Sequence, residues 1–443
     1  MRKMVRTMAL TASAMLLFGA SALAAEPIKV QVNGQPITFA DAQPEAKEGR
    51  TYIPMRATFN ALGFEDESIA WDSATSTVTA KRGDLEISLK LGEKKVTVTE
   101  AGETRTVETD AAAYAANSRT YVPVRVVAEA AGCNVGWDND DRTVLIDDVD
   151  ALLAANTETY TIMEKYVEYG KSLSSDNVAM KGDVAMTMAM AEVADVKVDG
   201  KYDAVASDTA VQMTMDLNMV ASAEDVPAET MKIDADVRGD METGVFYFKS
   251  DALSEMMGAT NIWFKMDMNE MMSSDEMTAA LGGMNYADLL KLSKDSQKMG
   301  FSESLAAVLK AIPLTDKDMT AKQVLDMVNA LVGDSAFEKQ ENTYMSETEI
   351  EGAKLTIALP TSGEKVTGIS ILVSAEGQDV MKITMQGSKL QMTMNFSDDE
   401  LGMALEMTMN ATYSKASKAP VTEPPAGASV MDLSAMMDLE EAA

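Results

Sequence analysis

Period-two alternation of apolar and polar positions dominates the chain after about residue 180. Val184, Met186, Met188 and Met190 fall on one parity, with Ala185, Thr187 and Ala189 on the other. Val211, Met213, Met215, Leu217 and Met219 repeat the pattern, and 231–237, 245–249 and 262–268 continue it. It returns after residue 343 in the stretches 349–359, 365–375, 380–386, 389–396 and 403–413. Such alternation predicts strands with one apolar face. Between the two sets the spacing becomes helical, over 286–298, 302–311 and 320–332, with Pro313 as an interruption. Ser302 and Thr320 stand where helix-starting caps belong, Thr320 with Gln323 three residues on. A further helix is expected over 151–173. The reading is an antiparallel-sheet domain at 155–415 with a helical insertion at 270–335. A Pro- and Ala-rich tail at 416–443 follows, with a short amphipathic helix around 431–437.

The front of the chain is organised by a repeat. Arg50-Thr51-Tyr52-Ile53-Pro54-Met55-Arg56 returns as Arg119-Thr120-Tyr121-Val122-Pro123-Val124-Arg125. Each copy is followed by a glycine (Gly63, Gly132) and a Trp-Asp pair (Trp71-Asp72, Trp137-Asp138). Thr-Tyr-Ile/Val reads as strand, and the residue before proline is held extended, so strands should end at Ile53 and Val122. Proline at the first helical position then opens a short helix, to about Leu62 and Ala131, closed by a left-handed glycine. Trp71 and Trp137 begin hairpins with polar turns, and Asn33-Gly34 is a two-residue hairpin signal. Within each copy, Arg56 and Arg125 are expected to hold helix to sheet.

These features resemble the copper amine oxidase N-terminal domain family, the stalk module of many bacterial secreted and surface proteins, over residues 28–147. The resemblance implies a small sheet packed on short helices and an accessory role. The structural-motif residues it carries are Tyr52, Pro54, Arg56, Gly63, Trp71, Tyr121, Pro123, Arg125, Gly132 and Trp137. From 155 to 440 the element order is helix, antiparallel strands, helical insertion and more strands. With Trp263-Phe264-Lys265 and the Pro-rich close, it is similar to LolA-like lipoprotein carriers. That likeness implies a curved, incompletely closed sheet, an open half-barrel, with helices plugging an apolar concavity. The expected fold class is therefore α+β.

Composition narrows the chemistry. Arg2, Lys3 and Arg6 precede an apolar run and Ala22-Leu23-Ala24, the pattern of a signal peptide at 1–24 cleaved between Ala24 and Ala25. Export, and a place in the envelope or outside the cell, is the expectation, with no membrane span afterwards. The net charge of −32 opposes nucleic acid as a partner. The chain has no histidine. That excludes Ser-His-Asp and Cys-His machinery and a histidine-held copper centre. No catalytic residue, resident metal or cofactor is expected, and the protein reads as non-enzymatic. The single cysteine, Cys133, reads as a small buried hydrophobe.

The 37 methionines carry the remaining signal, and all but Met1, Met4, Met8, Met15 and Met55 lie after residue 154. Met186, Met188, Met190, Met213, Met215, Met392, Met394, Met407 and Met409 form Met-x-Met steps on predicted strands. Thioethers make adaptable apolar walls and are also soft ligands for Cu(I). Three roles stay open: a face for a lipid or other amphiphile, a structural or adhesive surface component meeting the cell wall or envelope, and Cu(I) handling.

Overall fold

The computed structural model describes residues 27–433 apart from 174, 191–193, 224–225, 257, 259, 273–284, 288–289, 292–297, 351 and 399–401. The signal peptide, its cleavage site and most of the helix expected over 286–298 lie outside the described residues. The chain divides into two compact units, Met1–Ile146 and Asp147–Ala443.

In the first unit the chain runs β1 (Lys29–Val32), β2 (Gln35–Pro36), β3 (Glu45–Lys47), β4 (Arg50–Pro54) and α1 (Met55–Ala61). It continues through β5 (Ile69–Asp72), β6 (Thr77–Arg82), β7 (Leu85–Lys90), β8 (Lys95–Glu100) and β9 (Glu103–Glu108). The second copy supplies β10 (Tyr114–Ala116), β11 (Arg119–Pro123), α2 (Val124–Ala130), β12 (Asn134–Asp138) and β13 (Thr143–Asp147). They form sheets ordered β12-β13-β1-β2, β10-β11-β4-β3 and β5-β6-β7-β8-β9. Each proline extends its strand by one residue and caps the helix in an extended conformation, rather than occupying the first helical position. Gly63 and Gly132 both take φ +80° just past the helix ends, the left-handed conformation that a Cβ disfavours. Asn33 and Gly34, at φ 51° and 73°, make the hairpin turn expected of them.

The repeat is also a symmetry. Tyr121 pairs with Pro54, Val122 with Ile53, and Pro123 with Tyr52. Exchanging the two copies maps this register onto itself, with Ile53 and Val122 at the centre. The flanking hairpins agree: Glu45 opposes Tyr52 as Tyr114 opposes Tyr121. Ile53, Val122, Phe59, Ala128, Val98 and Ile146 lie fully buried in the shared core. Cys133 is buried in the same core.

Arg56 and Arg125 do not hold helix to sheet. Arg56 pairs with Asp66 at 3.0 Å, and Arg125 reaches Glu129 of its own helix at 4.0 Å; both are exposed. The first arginine of each motif ties the copies together instead. Arg50 Nε donates to Asp110 at 2.7 Å, and Arg119 Nε to Asp41 at 3.1 Å. These contacts hold both carboxyls below the usual aspartate range, chiefly through the arginine hydrogen bonds. Trp71, assigned to the structural motif, is 49% exposed.

The second unit opens with α3 (Val149–Ala155) and α4 (Thr161–Leu173), where one continuous helix was expected. The break at 156–160 is hydrogen-bonded: Asn156 Nδ2 donates to Tyr160 Oη at 3.0 Å and receives Asn329 Nδ2 on its own Oδ1 at 3.0 Å. The first strand set is β14 (Val178–Met190), β15 (Ala194–Ala206), β16 (Ala210–Ala223), β17 (Val226–Asp240), β18 (Val245–Lys249) and β19 (Ile262–Asp267). Helix α5 (Asp251–Met256) lies between β18 and β19, and α6 (Met268–Met271) follows them. The insertion then contributes α7 (Phe301–Ala311) and α8 (Ala321–Val332).

The second strand set is β20 (Glu338–Gln340), β21 (Thr343–Ile350), β22 (Ala353–Ser362), β23 (Lys365–Val366), β24 (Gly368–Ala375), β25 (Gln378–Gln386), β26 (Lys389–Asp398) and β27 (Met403–Lys415). The single strand expected over 349–359 is thus a hairpin, turning at Gly352 with φ 84°. Met431 and Asp432, expected to open a helix, instead end strand β28 (Ser429–Asp432), parallel to β19; residues 434–437 of that expected helix lie outside the described residues.

These strands make one sheet in the order β20-β21-β22-β24-β25-β26-β27-β14-β15-β16-β17-β18-β19-β28, with β23 attached to β22. It is two meanders joined by their first and last long strands. β14 pairs with β27 along its whole length, from Val178 opposite Lys415 to Met190 opposite Met403. The fold is mixed α and β, as expected.

Candidate functional site

The register places the apolar parity of every long strand on one face. Read across the strands, Met381, Met394, Met407, Met186, Val198, Met219 and Met231 stand opposite one another in one continuous row. The next row is Ile383, Met392, Met409, Val184, Gly200, Leu217 and Ile233. Met215 lies opposite Tyr202, and Met213 opposite Ala204. Met188 stands between Leu405 and Val196, and Met190 opposite Met403. All nine methionines singled out from the sequence therefore share this face, and all are half-buried. Met186, Met394 and Met407 are direct cross-strand neighbours, as are Met392 and Met409; Met213 and Met215 stand two strands away from β14.

The opposite face is polar. Lys181 and Asp203 form an ion pair there, and Thr393, Glu406 and Thr408 are exposed. The sheet therefore has an inside and an outside, set by parity alone.

Helices cover one end of the apolar face. Ile357, Leu359 and Ile369, on β22 and β24, are buried with Ile162, Leu309 and Leu325 of α4, α7 and α8. Ser346 and Thr348 donate to the carbonyls of Leu331 and Ala330 at the end of α8, at 2.6 and 2.8 Å. At the far end Phe248 stacks on Phe264, ring centroids 5.0 Å apart, and Phe264 is fully buried. Between these ends lies the methionine-rich middle.

Acidic side chains fix the helices in place. Glu164 of α4 accepts from the N–H groups of Phe301 and Ser302, at 2.9 and 3.0 Å, and so caps α7. Asp334 accepts from the N–H groups of Thr161 and Ile162, at 3.0 and 2.9 Å, and caps α4. Burial raises the pKa of each carboxyl, but these hydrogen bonds outweigh it and hold both below the ordinary range. Thr320 and Gln323 form the expected capping box of α8, whereas α7 starts from Gly300 rather than Ser302.

Three glycines sit on the apolar face, each beneath a large side chain directly opposite: Gly182 under Tyr202, Gly200 under Leu217, and Gly239 under Phe246. Their missing Cβ atoms give those side chains room to lie against the backbone. Tyr202 and Tyr413 place phenol groups on this face, and burial raises both pKa values.

The arrangement can do two things chemically. Flexible half-buried thioethers can repack against an apolar chain or ring, and a row of them can hold a soft cation such as Cu(I). Among the described residues no group of three or more His, Cys, Asp or Glu side chains converges to hold a metal. The sequence reading left Met219, Met231, Met381 and Met385 out of the site. Their signal was the same parity that picked out the other nine.

Residues 31–146 match the family described as the copper amine oxidase N-terminal domain. No curated protein matches the chain. Among solved structures the chain is similar to a LolA superfamily protein from Nitrosomonas europaea, at 9% identity, with 59% of this chain and 93% of that chain covered and a TM-score of 0.17. A structure of lipovitellin, titled for its lipid–protein interactions, is 7% identical, with coverage of 58% and 27% and a TM-score of 0.17. A DUF1329 family protein from Desulfovibrio piger is 7% identical, with coverage of 58% and 92% and a TM-score of 0.12.

Proposed function

We propose that this is an exported, non-enzymatic envelope protein whose second unit binds an apolar or amphiphilic ligand, such as a lipid, on the methionine-lined face. The observation that carries this reading is the row from Met381 to Met231, half-buried across seven strands. An apolar side chain contributes about 1.5–3 kcal/mol when fully removed from water. A face of half-buried methionines keeps part of that free energy for a ligand. Methionine suits a site that receives chains of varied shape, because its unbranched side chain repacks at low cost. In this reading the sheet is an open half-barrel, its helices plug one end, and the stalk unit is an accessory.

The test is native mass spectrometry of the chain purified from its own host, followed by organic extraction and addition of phospholipid and fatty acid. A bound amphiphile near one equivalent is expected. Its uptake should fall in Met186→Asp with Met407→Asp and persist in Met186→Leu with Met407→Leu. A ligand-free mass that added phospholipid and fatty acid leave unchanged would refute the proposal. A mass shift matching copper, lost in the leucine variant, would replace it with Cu(I) binding.

A further inference from the structure

The exchange of copies that relates β4 to β11 also relates two clefts in the first unit. One, of about 720 Å³, lies among the start of α1, the Trp71 hairpin and the turn before β11. The other, of about 750 Å³, lies among the start of α2, the Trp137 hairpin and the turn before β4. Every residue lining the second cleft is the repeat image of one lining the first. The offset is 69 residues up to the helix, as from Pro54 to Pro123, and 66 after it, as from Trp71 to Trp137.

Each cleft has the same parts. An indole forms one wall: Trp71 is 49% exposed and Trp137 is half-buried. Buried Val78 and Val144 line the base beside them. An arginine–aspartate pair, made between the copies, supplies donors and acceptors at the rim. Packing does not explain all of this. Trp71, Arg56 and Arg125 contribute little to the core, yet both copies keep them, while the cleft neighbours Met55 and Ala57 become Val124 and Val126.

We propose that each cleft binds a short stretch of a neutral polysaccharide, so that the first unit grips one polymer, or two neighbouring strands, at two equivalent points. A pyranose ring has a flat C–H face that stacks on an indole and a rim of hydroxyls that both donate and accept. The guanidinium and carboxylate groups that line each cleft together with its Trp match that rim. Clefts of this size fall in the range of small-ligand sites. The net charge of −32 selects against acidic polymers. Two sites on one compact unit raise avidity for a repeating ligand without any new contact. This inference does not rest on the ligand proposed for the second unit.

The test is calorimetric titration of the full chain with two defined probes, chitohexaose and cellohexaose. It is paired with retention on the matching insoluble polymers. Two equivalents per chain are expected with one of the probes. Trp71→Ala or Trp137→Ala should leave one equivalent and lower retention on the polymer by about a hundredfold. The double variant should show neither, and Trp→Phe at both sites should restore most of the binding. Thermal melting of each variant separates lost binding from lost fold. The third tryptophan, Trp263, is 3% exposed, so a saccharide-induced change in indole fluorescence reports on the clefts. No heat with either probe at millimolar concentration, or equal binding by the folded double variant, would overturn the proposal.

Discussion

Tyr202 lies across Gly182 and reaches the strand beyond it. Its ring stands over the glycine on β14, and its hydroxyl donates to the carbonyl of Asn410 on β27 at 3.0 Å. One side chain thus spans the seam between the two meanders. A Cβ at position 182 would fall 1.9 Å from the Asn410 carbonyl and 2.6 Å from the tyrosine hydroxyl. Gly182→Ala is therefore expected to cost about 1–3 kcal/mol through overpacking. Tyr202→Phe, which loses only the hydrogen bond, should cost about 1 kcal/mol. Urea unfolding curves separate the two. Adding Tyr202→Ala to Gly182→Ala should not restore stability, because the carbonyl still blocks the site.

The carboxylate caps make the helices sensitive to acid. Glu164 and Asp334 are held below their ordinary pKa values of 4.5 and 3.8. A depressed carboxyl stabilises the fold above the unfolded-state value and loses that contribution as pH falls through the folded-state value. Both contributions are then complete at neutral pH and fade below about pH 4.5. Glu164→Gln should cost about 0.5–2 kcal/mol at pH 7, as loss of a helix cap does. The difference from the parent should shrink towards pH 3. A constant difference across pH 3–7, by urea unfolding followed through far-ultraviolet circular dichroism, would count against the capping role.

Much of this architecture was legible because two sequence signals are strong. Seven near-identical residues at two places disclosed the repeat, and parity disclosed the apolar face. What escaped had weaker local marks. β15 has a weak strand signal because Asp195, Lys197, Asp199, Lys201 and Asp203 dominate it, although Val196, Val198, Tyr202 and Ala204 keep the apolar parity. The seam between β14 and β27 pairs residues more than two hundred positions apart, and no local pattern states which strands meet. Each motif holds two arginines, and the motif's own sequence does not distinguish which of them makes the tie. A usable signal existed: Asp41 and Asp110 each precede a motif's first arginine by nine residues. Their crossed pairing, each with the other copy's arginine, needed the fold. The role of the methionine face itself rests on exposure and shape, which alternation alone does not convey.

Asp147 should respond to pH in the opposite sense. It is 1% exposed; its Oδ2 accepts from Ala321 N–H at 2.6 Å, and its Oδ1 has no hydrogen-bond partner among the described residues. Burial raises its pKa, and the hydrogen bond from Ala321 only partly offsets this. The folded state then binds the proton more tightly than the unfolded chain, so this group's contribution declines as pH rises from 3.8 through the raised value. Asp147→Asn keeps an acceptor for Ala321 and removes the buried charge. It should be at least as stable as the parent at pH 7 and show a flatter profile between pH 4 and 7. A variant clearly weaker than the parent at pH 7 in urea would mean that the carboxylate is favourably held.

Arg82 closes both short helices of the first unit. Its Nη1 donates to the Leu62 carbonyl at 2.5 Å and its Nη2 to the Ala131 carbonyl at 3.4 Å, the residues that end α1 and α2. The guanidinium also lies 5.3 Å from the Phe64 ring centroid. A positive charge at two helix C-termini is favourable, and it gives partners to carbonyls that the helices themselves leave unmade. The position is not part of the repeat, because its image, Asp148, is acidic. One arginine thus serves both copies, and its loss should affect them together. Arg82→Met, which keeps much of the aliphatic stem, is expected to cost about 1.5–3 kcal/mol, as loss of hydrogen bonds from a charged donor does. Hydrogen exchange should then quicken at the amides of 58–62 and 127–131 alike. Faster exchange in one helix only would show that the second contact, at 3.4 Å, contributes nothing.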